Sequence, residues 1–164
     1  MTNVVASPVW AELLGQPEAI AQLEIAIRGK ADGVYHAWLI TGPPGSGRSN
    51  MAHSFAAALL CEKDGCGECK SCLMAAAGSH PDISTLATER VQISIDEVRE
   101  LVASSQFGAS LGKYRIMIIE DADRMQERSS NVLLKALEEP PAGTIWLLCA
   151  PSEADMLPTI RSRV

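Results

Sequence analysis

A glycine-rich segment that follows a short apolar run constrains this chain more than any other sequence feature. Within His36–Ser49, Gly42 and Gly47 occupy the two glycine positions of the phosphate-binding pattern G-x-x-x-x-G-K-[ST], and Ser49 completes it. Glycine permits positive φ and lets backbone N–H groups approach a phosphate at the start of the next helix. The strand–loop–helix context favours a P-loop over an ordinary Gly-Pro turn.

One position departs from this pattern, because Arg48 stands where the pattern has lysine. Lysine is a compact ammonium that reaches the β- and γ-phosphates, whereas arginine is a larger planar fork. The sequence therefore predicts a loop that is related to P-loops but whose interaction with phosphate has changed.

Apolar runs and helical periodicities alternate along the chain. Strands are predicted at Ala37–Thr41, Ile83–Leu86, Arg115–Ile119 and Thr144–Cys149. Helices are predicted from Pro17 to Gly29, over Arg48–Leu60, from the capping box at Ser94 to about Gln106, and up to Pro140. This alternation predicts one α/β domain with a mostly parallel sheet covered on both faces.

Length and charge narrow the class of protein. A chain of 164 residues suits one domain, and a net charge of −6 argues against a general nucleic-acid-binding surface. No secretion signal and no apolar stretch of 18 residues occurs in the sequence. We therefore expect a cytoplasmic protein with no membrane partner.

Four of the five cysteines crowd into 12 positions, at Cys61, Cys66, Cys69 and Cys72. Four thiolates at this spacing can close a tetrahedral shell around zinc, and a closed shell leaves no position for a reactive water. The sequence predicts structural zinc; the alternative is a set of reduced cysteines in an exposed loop. Cys149 lies in an apolar strand and is predicted to be a small core residue.

Two carboxylates, Glu120 and Asp121, follow the third predicted strand. In P-loop ATPases this place holds an Asp that helps to bind magnesium, and then a Glu. The reversed order changes both side-chain lengths by one methylene, which matters where catalytic geometry is tight. Acidic residues that simply end a strand are the competing interpretation.

Five segments occur in an order that resembles the first AAA+ domain of bacterial DNA polymerase III clamp-loader subunits. They are His36–Ser49, the cysteine cluster of residues 61–72, Gly78–Asp82, Asn131–Pro141 and Arg161–Arg163. The string Leu-Leu-Lys-Ala-Leu-Glu-Glu-Pro-Pro within Asn131–Pro141 is especially specific to that family. The resemblance implies a P-loop AAA+ (RecA-like) parallel sheet between helices, with a small zinc module inserted at 61–72.

Two kinds of clamp-loader subunit fit the resemblance: tau/gamma, which hydrolyses ATP, and delta-prime, which usually does not. Active members carry the P-loop lysine, an Asp-Glu pair and a threonine after the fourth strand. This chain has Arg48, Glu120-Asp121 and Cys-Ala-Pro at 149–151, so three departures favour the delta-prime kind. An active tau/gamma-type subunit is the alternative. A third hypothesis is a zinc-stabilised P-loop protein that binds nucleotide as a regulatory switch.

The resemblance also assigns roles to single residues. Nucleotide would be bound weakly or not at all, as ATP or ADP, at Gly42, Gly45, Gly47, Arg48, Ser49, Glu120 and Asp121. Structural zinc would be bound by Cys61, Cys66, Cys69 and Cys72. Ser162-Arg163 is similar to the family's Ser-Arg-Cys motif, with Val164 in place of cysteine, and Arg163 would be an arginine finger that reaches a neighbouring subunit's ATP. A capping pattern at Ser152 and Asp155 predicts a helix that carries Arg163; a solvated arginine in a basic segment is the alternative.

The implied partners are the tau/gamma and delta subunits, with the sliding clamp and primed DNA met through the assembled complex. The chain would be a component of the DNA polymerase holoenzyme without catalysing a reaction by itself. We expect residues 1–164 to be one AAA+ domain that lacks the family's fifth strand, lid and collar domain.

Overall fold

The computed structural model describes residues 8–10, 17–30, 33–43 and 45–164; Pro44 of the glycine-rich segment lies outside them. Its four strands are β1 (Ala37–Thr41), β2 (Ile83–Leu86), β3 (Arg115–Ile119) and β4 (Thr144–Ala150). They form one sheet in the order β1-β4-β3-β2, and every neighbouring pair is parallel. The predicted strands are confirmed, and β4 is one residue longer than predicted.

Helices precede the first strand, occupy the connections between the strands and follow the last strand. They are α1 (Pro17–Arg28), α2 (Arg48–Leu60), α3 (Lys70–Ala77), α4 (Ile95–Ser105), α5 (Glu127–Glu138) and α6 (Pro158–Arg161). The capping box that opens α4 is confirmed: Glu97 N donates to Ser94 Oγ over 3.2 Å, and Ser94 N donates to Glu97 Oε2 over 2.7 Å. These bonds satisfy two backbone donors that a helix start leaves without partners.

Two hydrophobic cores lie on opposite faces of the sheet. Successive side chains of a strand point to opposite faces, so Ile116 and Ile118 of β3 pack with α1 and α2, whereas Met117 and Ile119 pack with α4 and α5. Every residue of β4 is buried, as expected for a central strand of a parallel sheet covered on both sides. The predicted sheet between two helical layers is confirmed.

Helix α3 was not predicted, although the sequence carries its signals. Cys69 is its N-cap, and the sulfur accepts a hydrogen bond from the backbone N–H of Cys72. Gly78, with φ of 74°, ends the helix in the left-handed conformation that glycine adopts most readily. The alanine-rich run before Gly78 is typical of a helix. The cysteine spacing in the same segment indicates a metal site and does not by itself predict a helix.

The prediction that a helix carries Arg163 is wrong. Ser152 Oγ donates to the Asp155 carboxylate over 2.7 Å instead of capping a helix, and Glu153–Asp155 form only a short 3₁₀ turn. Helix α6 begins afterwards, because proline suits a first helical turn and not an interior position. Arg163 follows α6 in a turn, where its N–H donates to Ile160 O over 2.9 Å.

Candidate functional site

The glycine-rich loop lies at the carboxyl ends of β1 and β4, where Gly42 N donates to Ala150 O over 3.2 Å. Gly45 and Gly47 have φ of 83° and 84°, in the left-handed region. A Cβ on Gly42 would collide with Ser46 Oγ. The backbone therefore requires glycine at Gly45 and Gly47, and a larger residue at Gly42 would displace the Ser46 side chain.

The Arg48 side chain turns inward and contacts its own loop. Its Nη1 donates to Gly42 O over 2.6 Å, and its Nη2 donates to Asp121 Oδ1 over 3.3 Å. Only 12% of the side chain is exposed. In a P-loop the lysine directs its positive charge at phosphate. Arg48, at the same position, instead donates to a backbone carbonyl and a carboxylate.

Glu120 is held from α2 by two side chains. Ser49 Oγ donates to Glu120 Oε1 over 2.7 Å, and His53 Nε2 lies 3.0 Å from the same oxygen. In the phosphate-binding pattern, the Ser or Thr hydroxyl contacts Mg²⁺. Sequence reasoning missed His53, although a position four residues after Ser49 lies on the same helix face.

The structure brings most of the predicted nucleotide-site residues to one open groove. Its volume is about 390 Å³, and its lining includes Gly45, Gly47, Arg48, Ser49, Glu120 and Asp121. The start of α2 offers partial positive charge to an anion. Two carboxylates face the same space, however, and Arg48 is already paired with one of them. The groove thus combines a helix start that can attract an anion with side chains that differ from the phosphate-binding pattern.

Cys149 is a core residue, as predicted. It is completely buried in β4, and its Sγ lies 3.8 Å from Arg48 O. Burial raises the pKa of the Cys149 thiol to about 12, so the group is neutral at pH 7. It therefore offers no thiolate to the groove or to a metal.

The four clustered cysteines meet at one point. Their sulfur atoms all lie within 4.8 Å of one another. Cys61 Sγ is 3.7 Å from Cys66 Sγ and 3.8 Å from Cys69 Sγ. A tetrahedron with Zn–S bonds of about 2.3 Å has sulfur–sulfur separations of about 3.8 Å. The cluster can therefore hold a metal ion of this size, and its donor set suits a soft or borderline cation.

Backbone N–H groups point at these sulfurs and stabilise the thiolate form. Burial alone would raise the pKa of Cys61, but N–H groups of Cys66, Gly65 and Lys63 lower it to about 6. The N–H groups of Glu68 and Cys69 likewise lower the pKa of Cys66. Burial raises the pKa of Cys72. A bound cation would favour the thiolate of Cys72 as well, because a coordinating thiol is deprotonated.

Lys30 joins this module to the sheet domain, a role that the sequence did not reveal. Its Nζ donates to Ala58 O over 3.1 Å and to Cys61 O, and it pairs with Asp64 Oδ1 at 3.0 Å. The Lys30 carbonyl accepts a hydrogen bond of 2.9 Å from the Tyr114 hydroxyl. The first cysteine is thus fixed from the end of α1.

His80 and Asp82 form a second connection between the cysteine module and the sheet. His80 is buried; its Nδ1 accepts from Asp82 N over 3.1 Å, and its Nε2 lies 3.0 Å from Ser71 Oγ. Burial lowers the pKa of His80, which favours the neutral ring that an accepting Nδ1 requires. The fully buried Asp82 carboxylate accepts three N–H groups of residues 110–112. The Gly78–Asp82 segment, noted in the sequence, therefore has a structural role: it connects the cysteine module to the sheet.

Arg163 lies away from the groove, at the opposite end of the sheet. Its Nη2 pairs with Glu138 Oε1 at 3.0 Å, and its Nη1 donates to Ser162 Oγ over 2.6 Å. Glu138 is the last residue of α5, which begins beyond the carboxyl end of β3 and returns to the amino end of β4. A helix of 12 residues spans about 18 Å. This separation places Arg163 out of reach of its own P-loop.

No helix in the described part of the chain is long and apolar enough to cross a membrane.

The chain resembles bacterial DNA polymerase III subunits in sequence. A family described as DNA polymerase III, delta subunit, matches residues 15–164. Over 134 residues the chain is 42% identical to the DNA polymerase III subunit delta′ of Pseudomonas aeruginosa, covering 78% of this chain and 41% of that protein. It is 31% identical over 159 residues to the gamma/tau subunit of Mycobacterium tuberculosis, covering 94% of this chain and 27% of that protein. The chain thus spans about two fifths of the delta′ relative's length.

Solved structures give the same fold. A gamma subunit-related protein of DNA polymerase III from Thermotoga maritima superimposes with a TM-score of 0.71 at 26% identity, covering 87% of this chain and 44% of that chain. The RuvB Holliday junction branch migration motor of the same organism superimposes with a TM-score of 0.59 at 16% identity, covering 97% and 45%. The second likeness concerns the fold alone, and together they confirm the AAA+ architecture.

Proposed function

Since the chain belongs to the DNA polymerase III delta-subunit family, we propose that it is the AAA+ domain of a delta-prime-type subunit of the replicative clamp loader. In this role it supports ATP-dependent loading of the sliding clamp onto primed DNA without hydrolysing ATP itself. Its partners are the tau/gamma and delta subunits, and it meets the clamp and DNA through the assembled complex in the cytoplasm. Residues 1–164 act as one domain of that subunit.

The observation that carries the proposal is the pairing of Arg48 with Gly42 O and Asp121. A catalytic P-loop needs a cation directed at the β- and γ-phosphates and a hydroxyl on Mg²⁺. Here Arg48 is engaged within the loop, and the Ser49 hydroxyl donates to Glu120. Binding of Mg²⁺–ATP would have to break both contacts, so ATP, ADP or phosphate binds weakly or not at all.

An active tau/gamma-type subunit is the less favoured alternative. The identity to the gamma/tau relative is 31%, against 42% to the delta′ relative. The reversed order of Glu120 and Asp121 and the lack of a hydroxyl at residues 149–151 also argue against hydrolysis.

We further propose that the cysteine cluster binds one structural zinc ion. The sulfur separations match a tetrahedral zinc site, and a four-thiolate shell has no open position for substrate or water. Zinc would fix α3 and the loop before it against α2, and it takes no part in a reaction.

Arg163 is proposed to complete the ATP site of a neighbouring subunit. Its distance from its own P-loop and the exposure of 41% of its side chain suit a contact made outside the domain. A guanidinium supplied in trans to a γ-phosphate can accelerate hydrolysis by about 10³- to 10⁵-fold. A subunit that does not hydrolyse ATP at its own P-loop can therefore still contribute to hydrolysis at a neighbouring subunit's site.

Reconstitution of the loader tests the proposed function. Full-length subunit should co-elute with tau/gamma and delta on size exclusion, and clamp loading onto primed DNA should depend on its presence. A double substitution, Arg48→Ala with Ser49→Ala, should leave that loading unchanged, because nucleotide turnover at this P-loop is not required. Failure of the wild-type subunit to join the complex would overturn the proposal. Loss of loading on the double substitution would favour the active-subunit alternative, provided that the variant still co-elutes.

A further inference from the structure

We infer that Glu138 is a positioning residue for Arg163: its carboxylate holds the guanidinium in a set direction for docking onto a neighbouring subunit's nucleotide. The inference rests on the proposed trans-acting role of Arg163. The juxtaposition that carries it is the 3.0 Å contact between Arg163 Nη2 and Glu138 Oε1, which joins residues 25 positions apart in sequence.

The backbone beneath Arg163 is anchored. Arg163 N donates to Ile160 O over 2.9 Å, and Ile160 is completely buried in the core that α4 and α5 share. Ser162 Oγ donates to Thr159 O over 3.0 Å, which fixes the hydroxyl that Arg163 Nη1 contacts. The turn after α6 is therefore held at its backbone, and the long arginine side chain is the part that still needs a direction.

The backbone at Glu138, the other residue of the contact, is also anchored. Glu138 is the last residue of α5, and the preceding residue, Leu137, is 1% exposed. His36 Nε2 lies 2.9 Å from Leu137 O, which ties this end of α5 to the residue before β1. Glu138 thus projects from a packed helix end, so the backbone that carries its carboxylate is anchored beside Arg163.

The arrangement leaves donors for a second partner. A guanidinium has five N–H donors, and Arg163 uses one on each Nη in the contacts to Glu138 and Ser162. Its other N–H groups donate to no atom of the described residues, so a phosphate oxygen can be bound without breaking the contact to Glu138. A side chain that is already ordered loses less conformational entropy on docking.

The size of the effect follows from the exposure of the pair. Both side chains are about two fifths exposed, and exposed ion pairs contribute about 0.2–1 kcal/mol. Loss of the contact should therefore lower the rate at the neighbouring site by about 1.5- to 5-fold. This is far less than the loss expected when the arginine itself is removed.

The test uses the reconstituted loader with full-length subunit, in which clamp- and DNA-stimulated ATP hydrolysis is measured as kcat and KM. Glu138→Ala should lower kcat by about 1.5- to 5-fold, with little change in KM for ATP. Glu138→Gln, which keeps an oxygen acceptor without the charge, should fall between wild type and Glu138→Ala. Glu139→Ala is the matched control, because Glu139 is exposed and forms no ion pair with the described residues.

A double-substitution cycle separates positioning from a general structural role. In the Arg163→Ala background, Glu138→Ala should have no further effect, because the group that it positions is gone. An unchanged rate for Glu138→Ala while Arg163→Ala is defective would overturn the positioning inference and leave the proposed function standing. Equal losses from Glu138→Ala in both backgrounds would also overturn the inference. A normal rate for Arg163→Ala would instead overturn the trans-acting role itself.

Discussion

Arg48 Nη2 lies 3.3 Å from Asp121 Oδ1, so the residue that replaces the P-loop lysine pairs with a carboxylate that follows β3. The pair joins the two sides of the groove, the glycine-rich loop and the end of β3. Together with the bond from Arg48 Nη1 to Gly42 O, it engages both Nη atoms of the guanidinium within the protein. The proposed lack of ATP turnover at this loop depends on the pairing of Arg48 with Asp121.

The first prediction concerns ATP turnover. Full-length wild-type subunit should hydrolyse no ATP by itself, and Arg48→Lys should not create turnover, because Glu120 and Asp121 remain in reversed order. Lysine is compact and has no planar fork to bridge Gly42 O and Asp121, so Arg48→Lys should tighten nucleotide binding several-fold. Equilibrium binding and steady-state hydrolysis measure the two effects. Steady turnover by the wild-type protein, abolished by Arg48→Ala, would support the active tau/gamma-type alternative.

The second prediction concerns the metal. Protein purified in reducing buffer without chelator should contain one equivalent of zinc, and Cys69→Ala should lose most of it, because the shell then has three thiolates. Metal analysis and thermal unfolding measure content and stability. The loss of stability should be concentrated in the module of residues 61–72 and in α3, with a modest effect on the sheet.

Cys149→Ala is the control for that experiment, since Cys149 is buried in β4 and is not among the four clustered cysteines. It should keep the full zinc content. A wild-type protein with much less than one equivalent of zinc would contradict the assignment of the cluster.

The third prediction concerns the buried carboxylate of Asp82. Burial alone would raise its pKa, but N–H donors from residues 110–112 lower it below the ordinary value. A lowered folded-state pKa gives stability that is present above the unfolded pKa, about 3.9, and is lost as pH falls through the folded pKa. Asp82→Asn should remove this part of the acid dependence. It should also cost about 3 kcal/mol at pH 7, because one amide N–H group would face a backbone donor.

Denaturant unfolding of wild type and Asp82→Asn between pH 7 and pH 3 provides the measurement. The difference in unfolding free energy between the two proteins should shrink as the pH falls below about 4. Asp96→Asn is a suitable control, since Asp96 is highly exposed and pairs only weakly with Arg99 at 3.6 Å. A constant difference across the pH range would contradict the role given to the Asp82 carboxylate.

The strands and most helices could be predicted because their signals are local. The apolar runs of β1 and β3 are bounded by turn residues, and the Ser94–Glu97 capping box marks the start of α4 within four positions. Helix α3 was missed despite an equally local signal, the alanine run before Gly78. Helix α6 begins at Pro158, later than predicted, because the Ser152 hydroxyl binds the Asp155 side chain instead of a backbone N–H.

Site residues could be predicted from the sequence only where they belong to a motif with fixed spacing. The glycines, Arg48, Ser49 and the four cysteines belong to such motifs, and the structure brings each set together. The contacts of Lys30 with Cys61 and of Glu138 with Arg163 depend instead on the packing of distant elements. No spacing in the sequence encodes such pairs, because they arise when helices return across the sheet.

The decisive experiment measures clamp- and DNA-stimulated ATP hydrolysis, together with clamp loading, in a loader reconstituted with Arg163→Ala. We expect hydrolysis at the one neighbouring site to fall by about 10³-fold or more and loading to fail. Arg163→Lys should not rescue it, because lysine lacks the planar fork, and Arg161→Ala should behave as wild type. Wild-type hydrolysis and loading by the Arg163→Ala loader would contradict the claim that this subunit completes a neighbour's ATP site.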